Sequence, residues 1–168
     1  MIKGDVFIED NKIKNFLISI YQSTFFNDWL RERVNHSVEN NNGKFMLLDG
    51  DVYQDAKAKF STPKNMPTRE FESKKLVPTG LLCGRDVFRA RDEAGKVELK
   101  YDDEFLQEKG YRREALIYPE DIVCNYVRKQ TMLNISFTLP KGSYATVFLE
   151  SIANKNYTAK DVKKKEKH

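Results

Sequence analysis

From Lys12 to about His36 the chain carries neither glycine nor proline, and its apolar residues recur at helical spacing. Ile13, Phe16, Leu17, Ile20 and Tyr21 fall at i, i+3, i+4, i+7 and i+8, a single stripe of an α-helix. Continuing the same rotation of about 100° per residue turns Phe26, Trp29 and Leu30 toward a different side. A helix apolar on two sides packs between two layers, so this segment is expected to be a core helix. Any fold for the chain must offer that helix two apolar partners.

Downstream, Asn40-Asn41-Asn42-Gly43 is a turn signal, and Lys44 to Leu48 reads as a short strand. Asp49-Gly50-Asp51 turns the chain into a short extended piece around Val52 and Tyr53. Two aspartates flanking a glycine resemble the start of a calcium loop, but the remaining ligand positions are missing, which leaves a turn. Residues 61 to 91 hold Pro63, Pro67 and Pro78, with Gly80 and Gly84 close by, and are expected to be rich in loops. Asp92 to Glu108 is expected to be a solvated helix, broken or shifted near Gly95. Leu133, Ile135, Phe137 and Leu139 alternate with Asn134, Ser136 and Thr138, the pattern of a half-buried strand. Pro140 to Ser143 stops it. Val147, Phe148, Leu149 and Ile152 then recur as on a helix, with Ser143 as a candidate N-cap. The class these elements predict is α+β, without internal repeats.

Charge narrows the function less than its total suggests. The formal net charge of the 168 residues is +4. Residues 155–168 carry six lysines against Asp161 and Glu166, so the whole excess lies in this tail and the body is neutral. A local imbalance survives: Lys64 to Arg91 contains seven cations and three acids, and Asp92 to Glu108 reverses it with seven acids and two lysines. Hydrophobic content of 40% and aromatic content of 12% argue against disorder. No apolar run approaches the roughly 20 residues that cross a bilayer, and Met1 to Asp10 lacks the apolar stretch of a secretory signal. Cys83 and Cys124 have no metal-ligand spacing and make no disulfide framework, which suits a reduced, cytoplasmic setting. His36 and His168 belong to no recognisable catalytic or zinc motif. No membrane association and no metal are expected.

Five stretches, in order, resemble one family. Phe137 to Thr146 (FTLPKGSYAT) looks like the FxLPxGSYAT signature of the tRNA pseudouridine synthase D family, TruD. Asn15 to Arg33 is similar to its helix of form R-x-F-x-L-S-A-x-x-S-x-x-F-N, and Leu48 to Asp51 to its DGD turn. Pro78 to Gly84 (PTGLLCG) resembles its P-T-G-x-L-x-G loop, and Arg112 to Leu116 (RREAL) its R-R segment. The match covers roughly residues 12 to 153.

The resemblance implies a cofactor-independent isomerase that converts uridine 13, in the D arm of tRNA, to pseudouridine. The uracil leaves its N-glycosidic bond, turns, and is rejoined through carbon. In the family an aspartate in a G-x-K-D motif does the essential work, and N-x-F-G-x-Q-R-F-G precedes the helix. Neither motif occurs in these 168 residues, and Ile2-Lys3-Gly4-Asp5 has the wrong order. No catalytic residue is therefore assigned. The expected organisation is an inserted TRUD domain of helices and short strands at 12–120, a strand-turn-helix of the catalytic domain at 121–154, and a Lys-rich tail at 155–168. Such a chain is expected to be inactive alone and to partner tRNA and the N-terminal half of the same enzyme. The alternative is a non-catalytic RNA-binding or remnant module.

Within that resemblance Tyr144 corresponds to an active-site aromatic that faces the flipped base; its plain structural reading is a core tyrosine. Gly142 permits close backbone approach, N–H groups near Ser143 could hold a phosphate, and Thr146 supports the loop. Arg85, Arg89, Arg91, Arg112 and Arg113 are candidate phosphate contacts, or alternatively partners for the acidic stretch after Arg91. Where the family commonly has R-E, this chain has Glu150-Ser151, so the role of that family arginine is not carried over.

Overall fold

The computed structural model describes residues 10–141 and 143–153. Gly142, the tail from 155 onward and the Ile2–Asp5 segment lie outside the described residues. The chain divides into two compact units, Met1–Leu116 and Ile117–His168. Both mix helix with antiparallel strand, so the α+β expectation holds.

The first unit opens with α1, Asn11–Asn40. Asp10 caps it: its carboxylate accepts from the backbone N–H groups of Lys12 (2.7 Å) and Ile13 (3.4 Å). At the other end Gly43, at φ +77°, lets the chain reverse. The helix buries Gln22, Phe26, Trp29, Arg33 and Ser37, one stripe with three- and four-residue steps. The other apolar stripe stays largely uncovered: Phe16 is 65% exposed, Ile13, Leu17 and Ile20 are also exposed, and exposed Tyr21 donates its hydroxyl to Asp103 at 2.8 Å. The expectation of a helix sandwiched between two layers is thus met on one side.

Against α1 stands a four-stranded antiparallel sheet in the order β2-β1-β3-β4, made of β1 (Val52–Asp55), β2 (Phe60–Ser61), β3 (Leu76–Leu82) and β4 (Tyr111–Glu114). The Pro78 to Gly84 stretch, expected as loop, supplies most of the inner strand β3. Pro78 has no N–H to give the ladder, but its carbonyl accepts from Ala115 N–H at 2.8 Å. Gly80 is where helix and sheet meet, since a Cβ there would lie 2.4 Å from the Trp29 ring and 2.8 Å from Phe26. The short helix α2 (Thr68–Glu72) precedes β3.

Two further expectations change for physical reasons. Lys44 to Leu48 is extended but is no strand, because its backbone bonds to side chains instead of a neighbouring strand. Met46 N–H donates to Ser37 Oγ, Met46 C=O accepts from Arg33 Nη2, and Leu48 N–H donates to Asp51 Oδ2. The acidic stretch is likewise no solvated helix. It forms α3 (Asp92–Glu98) and one 3-10 turn (Leu99–Tyr101), unbroken at Gly95, with Ala94, Gly95 and Glu98 buried. Ala94 N–H donates to Asp49 C=O and Arg91 N–H to Gly50 C=O, which docks α3 on the Asp-Gly-Asp turn.

The second unit is a hairpin and a helix. β5 (Glu120–Val127) pairs antiparallel with β6 (Met132–Thr138), with an irregularity between Glu120 and Val123. The alternation read along Leu133 to Leu139 is realised in β6, where Ile135 and Phe137 are half-buried. Phe137 packs edge-to-face on Phe148 of α4 (Ala145–Ala153), their centroids 4.6 Å apart.

Candidate functional site

The motif residues of the first unit are mostly internal supports. Arg33 is buried, and its guanidinium donates to both carboxylate oxygens of Asp51, at 2.6 and 2.9 Å. The Trp29 and Phe45 rings lie on either contact of that guanidinium, 5.4 and 5.0 Å from its carbon. Thr79 Oγ1 donates to Val52 C=O at 2.9 Å. Arg112, whose side chain is 1% exposed, bonds Glu98 at 2.6 Å, Thr79 C=O and Thr79 Oγ1 on the inner face of the sheet. Glu98 in turn accepts from Ala90 N–H at 2.8 Å. Burial pulls the Arg112 pKa down while Glu98 opposes the shift, as expected for a cation taken out of water beside a counter-ion.

This placement separates the five arginines considered as phosphate contacts. Arg112 faces inward, where its guanidinium bonds Glu98 and Thr79. Arg89 is shared: its Nε donates to Asp102 at 2.8 Å and its Nη2 to Gly84 C=O, and the Asp102 bond raises its pKa. Arg85 is exposed and gives Nε to Gln107 C=O. Arg91 is exposed at the start of α3. Arg113 is exposed on the α1-facing side of β4, over the Phe26 ring at 5.1 Å. Neutralisation of the acidic stretch thus accounts for Arg89 and Arg112, but not for Arg85 or Arg113.

A cleft of about 250 Å³ lies beside α3. Arg89, Arg91 and Lys96 line it together with Asp92, Glu98 and Asp102, so its charges balance. That balance offers little attraction to an anion.

In the second unit Tyr144 is 74% exposed. Thr146 is exposed and Ser143 is half-buried. The helix begins at Ala145 and Phe148 N–H donates to Tyr144 C=O at 3.4 Å, so Tyr144 provides the first helical carbonyl. Ser143 N–H donates to Pro140 C=O at 3.1 Å, which closes the turn rather than leaving that group for a phosphate. Sequence reasoning passed over Lys109 and Tyr111, both exposed beside Arg113. The available signal was Lys109-Gly-Tyr-Arg-Arg113, an aromatic residue among cations at alternating positions. Among the described residues no group of His, Cys, Asp and Glu could hold a metal ion, and no helix is long and apolar enough to cross a membrane.

Fold and surroundings define an α+β protein in which the inward motif residues brace a sheet and several cations and tyrosines remain outside. The sequence model of tRNA pseudouridine synthase D (TruD) matches residues 8–152. The tRNA pseudouridine synthase D of Wolinella succinogenes is 31% identical over 90% of this chain and 50% of its own length. That of a Nitratiruptor species is 35% identical over 88% of this chain and 49% of its own. A crystal structure from Methanosarcina mazei assigned to the same family superposes with a TM-score of 0.55 at 22% identity, over 81% of this chain and 37% of that one. The chain belongs to the tRNA pseudouridine synthase D family. It spans about half the length of the curated relatives it matches.

Proposed function

We propose that this chain is the portion of a tRNA pseudouridine synthase D that holds tRNA and completes the catalytic domain, in an enzyme that isomerises uridine 13 of the D arm. The observation that carries the reading is the family match across residues 8–152. The reaction needs a base turned out of its stack, a carboxylate, and an aromatic surface against the base. Tyr144, with its ring in solvent, supplies the aromatic surface. Ser143 and Thr146 position the turn and helix start around it.

The carboxylate comes from the half of the enzyme that this chain does not span, because neither G-x-K-D nor N-x-F-G-x-Q-R-F-G occurs in the sequence. Alone, the chain is therefore inactive. Uncovered apolar side chains in each unit support docking of that half: Ile13, Phe16, Leu17 and Ile20 on α1 of the first, and, separately, Ile122, Val123, Tyr126 and Leu133 on the hairpin of the second. An antiparallel pair alone is a marginal structure and gains from further strands.

The test combines the chain with a catalytic half carrying both missing motifs, taken from a relative. Tritium release from uracil C5 of labelled tRNA reports isomerisation. Neither piece alone releases tritium, and the associated pair does. A folded, associated pair that forms no pseudouridine would overturn the catalytic reading in favour of a non-catalytic RNA-binding module.

A further inference from the structure

We infer that the outer edge of β4 is a contact for single-stranded RNA, in which an unpaired base stacks on Tyr111 and neighbouring phosphates are held by Lys109 and Arg113. This rests on the reading of the chain as a tRNA-acting protein and assigns one part of that binding to a particular surface.

β4 is the last strand of its sheet and pairs only with β3 among the described residues. Strand alternation sends Arg112 toward Glu98 and puts Tyr111 and Arg113 on the opposite face, the one on which Gly80 meets α1, where both side chains stay exposed. Tyr111 is 52% exposed. Lys109 Nζ lies over that ring, 5.6 Å from its centroid, so the ammonium sits on one face and a stacking base would use the other. Arg113 is held over Phe26 at 5.1 Å, with Nη1 donating to Ser23 Oγ at 3.3 Å. Its position is therefore set while its charge remains unneutralised.

Lys14, Arg33, Arg89, Lys100 and Arg112 each have a carboxylate partner, and Lys109 and Arg113 have none among the described residues. Arg85, whose backbone bridges to Lys109, is a third cation without one. Unneutralised cations around an exposed aromatic ring match the chemistry of a flexible polyanion with unstacked bases. An apolar or acidic-residue-free protein strand would use the edge but leave the three charges unused.

The experiment titrates an unmodified tRNA transcript with the intact chain, read by fluorescence anisotropy at several salt concentrations. Tyr111→Ala is expected to weaken binding about tenfold with little change in salt dependence, since it removes stacking and no charge. Tyr111→Trp should bind within about twofold of the original. Lys109→Gln and Arg113→Gln should each lower the slope of log affinity against log salt by about 0.7 to 0.9. Circular-dichroism melts verify the fold of each variant. Affinity that is unchanged in Tyr111→Ala, or a salt slope that is unchanged in both charge variants, overturns the contact. So does an intact, folded chain that binds no tRNA. The tritium assay of the reconstituted enzyme separately decides the family function, so an active enzyme with wild-type binding in these variants disproves only this surface.

Discussion

Arg33 shows how a single side chain can organise several segments. Its guanidinium reaches Asp51 eighteen positions on, and also the carbonyl of Met46. A buried charge costs several kcal/mol to desolvate, so removing one partner leaves a larger penalty than the pair's own net worth. Asp51→Ala is expected to destabilise the first unit by about 3–5 kcal/mol in urea unfolding. An apolar replacement of both Arg33 and Asp51 should cost markedly less than Asp51→Ala alone, and a larger cost in the double variant would disprove the buried-charge account. The Asp-Gly-Asp pattern was visible in sequence as a turn. Its partner was not, because the contact exists only once α1 has folded back beside the turn. Arg112 carries the same lesson: the cation was legible, but only the inward phase of β4 shows that Glu98 and Thr79 consume it.

At the scale of elements, α1 was readable from periodicity, yet periodicity could not say which of two stripes would be buried within this unit. Gly80 decides it, since the missing side chain lets Phe26 and Trp29 seat on β3. Lys44 to Leu48 was misread because apolar content signals burial, not pairing, and its backbone bonds go to Ser37, Arg33 and Asp51. The 3-10 turn after α3 is tied to α1 through Glu32, which accepts from Lys100 Nζ and Tyr101 Oη, both at 2.7 Å. Those bonds hold the Glu32 pKa below its ordinary 4.5. A lowered carboxylate pKa contributes stability above the unfolded value and loses it as pH falls through the folded one. Glu32→Gln should therefore reduce the loss of stability below about pH 4.5. The side chain is one-third exposed, so screening keeps the effect below about 1 kcal/mol. An acid limb of the stability curve identical to that of the unaltered protein would rule this linkage out.

For the whole molecule, the proposed sharing of structure and chemistry with a catalytic half rests on the uncovered apolar side chains and on the absence of both motifs from this sequence. Replacing Phe16 and Ile20 together by serine should leave the melting of the first unit nearly unchanged, because both side chains already meet solvent. The same change should weaken association with the catalytic half by tenfold or more, measured by sedimentation or titration calorimetry, as two buried apolar anchors are lost. Undiminished association would show that this face is not the docking surface.

The family, the α+β class, the long helix and the alternating strand β6 were determined by the sequence alone, because ordered motifs and hydrophobic periods are local properties of a chain. Tertiary structure decided which side of α1 is covered, which strand the PTG segment joins, and which arginines remain available. Those outcomes depend on pairings between residues far apart in sequence: Arg33 with Asp51, Arg112 with Glu98, and Gly80 beneath Trp29. A charge is legible in one residue, but whether it is free depends on what the fold places beside it.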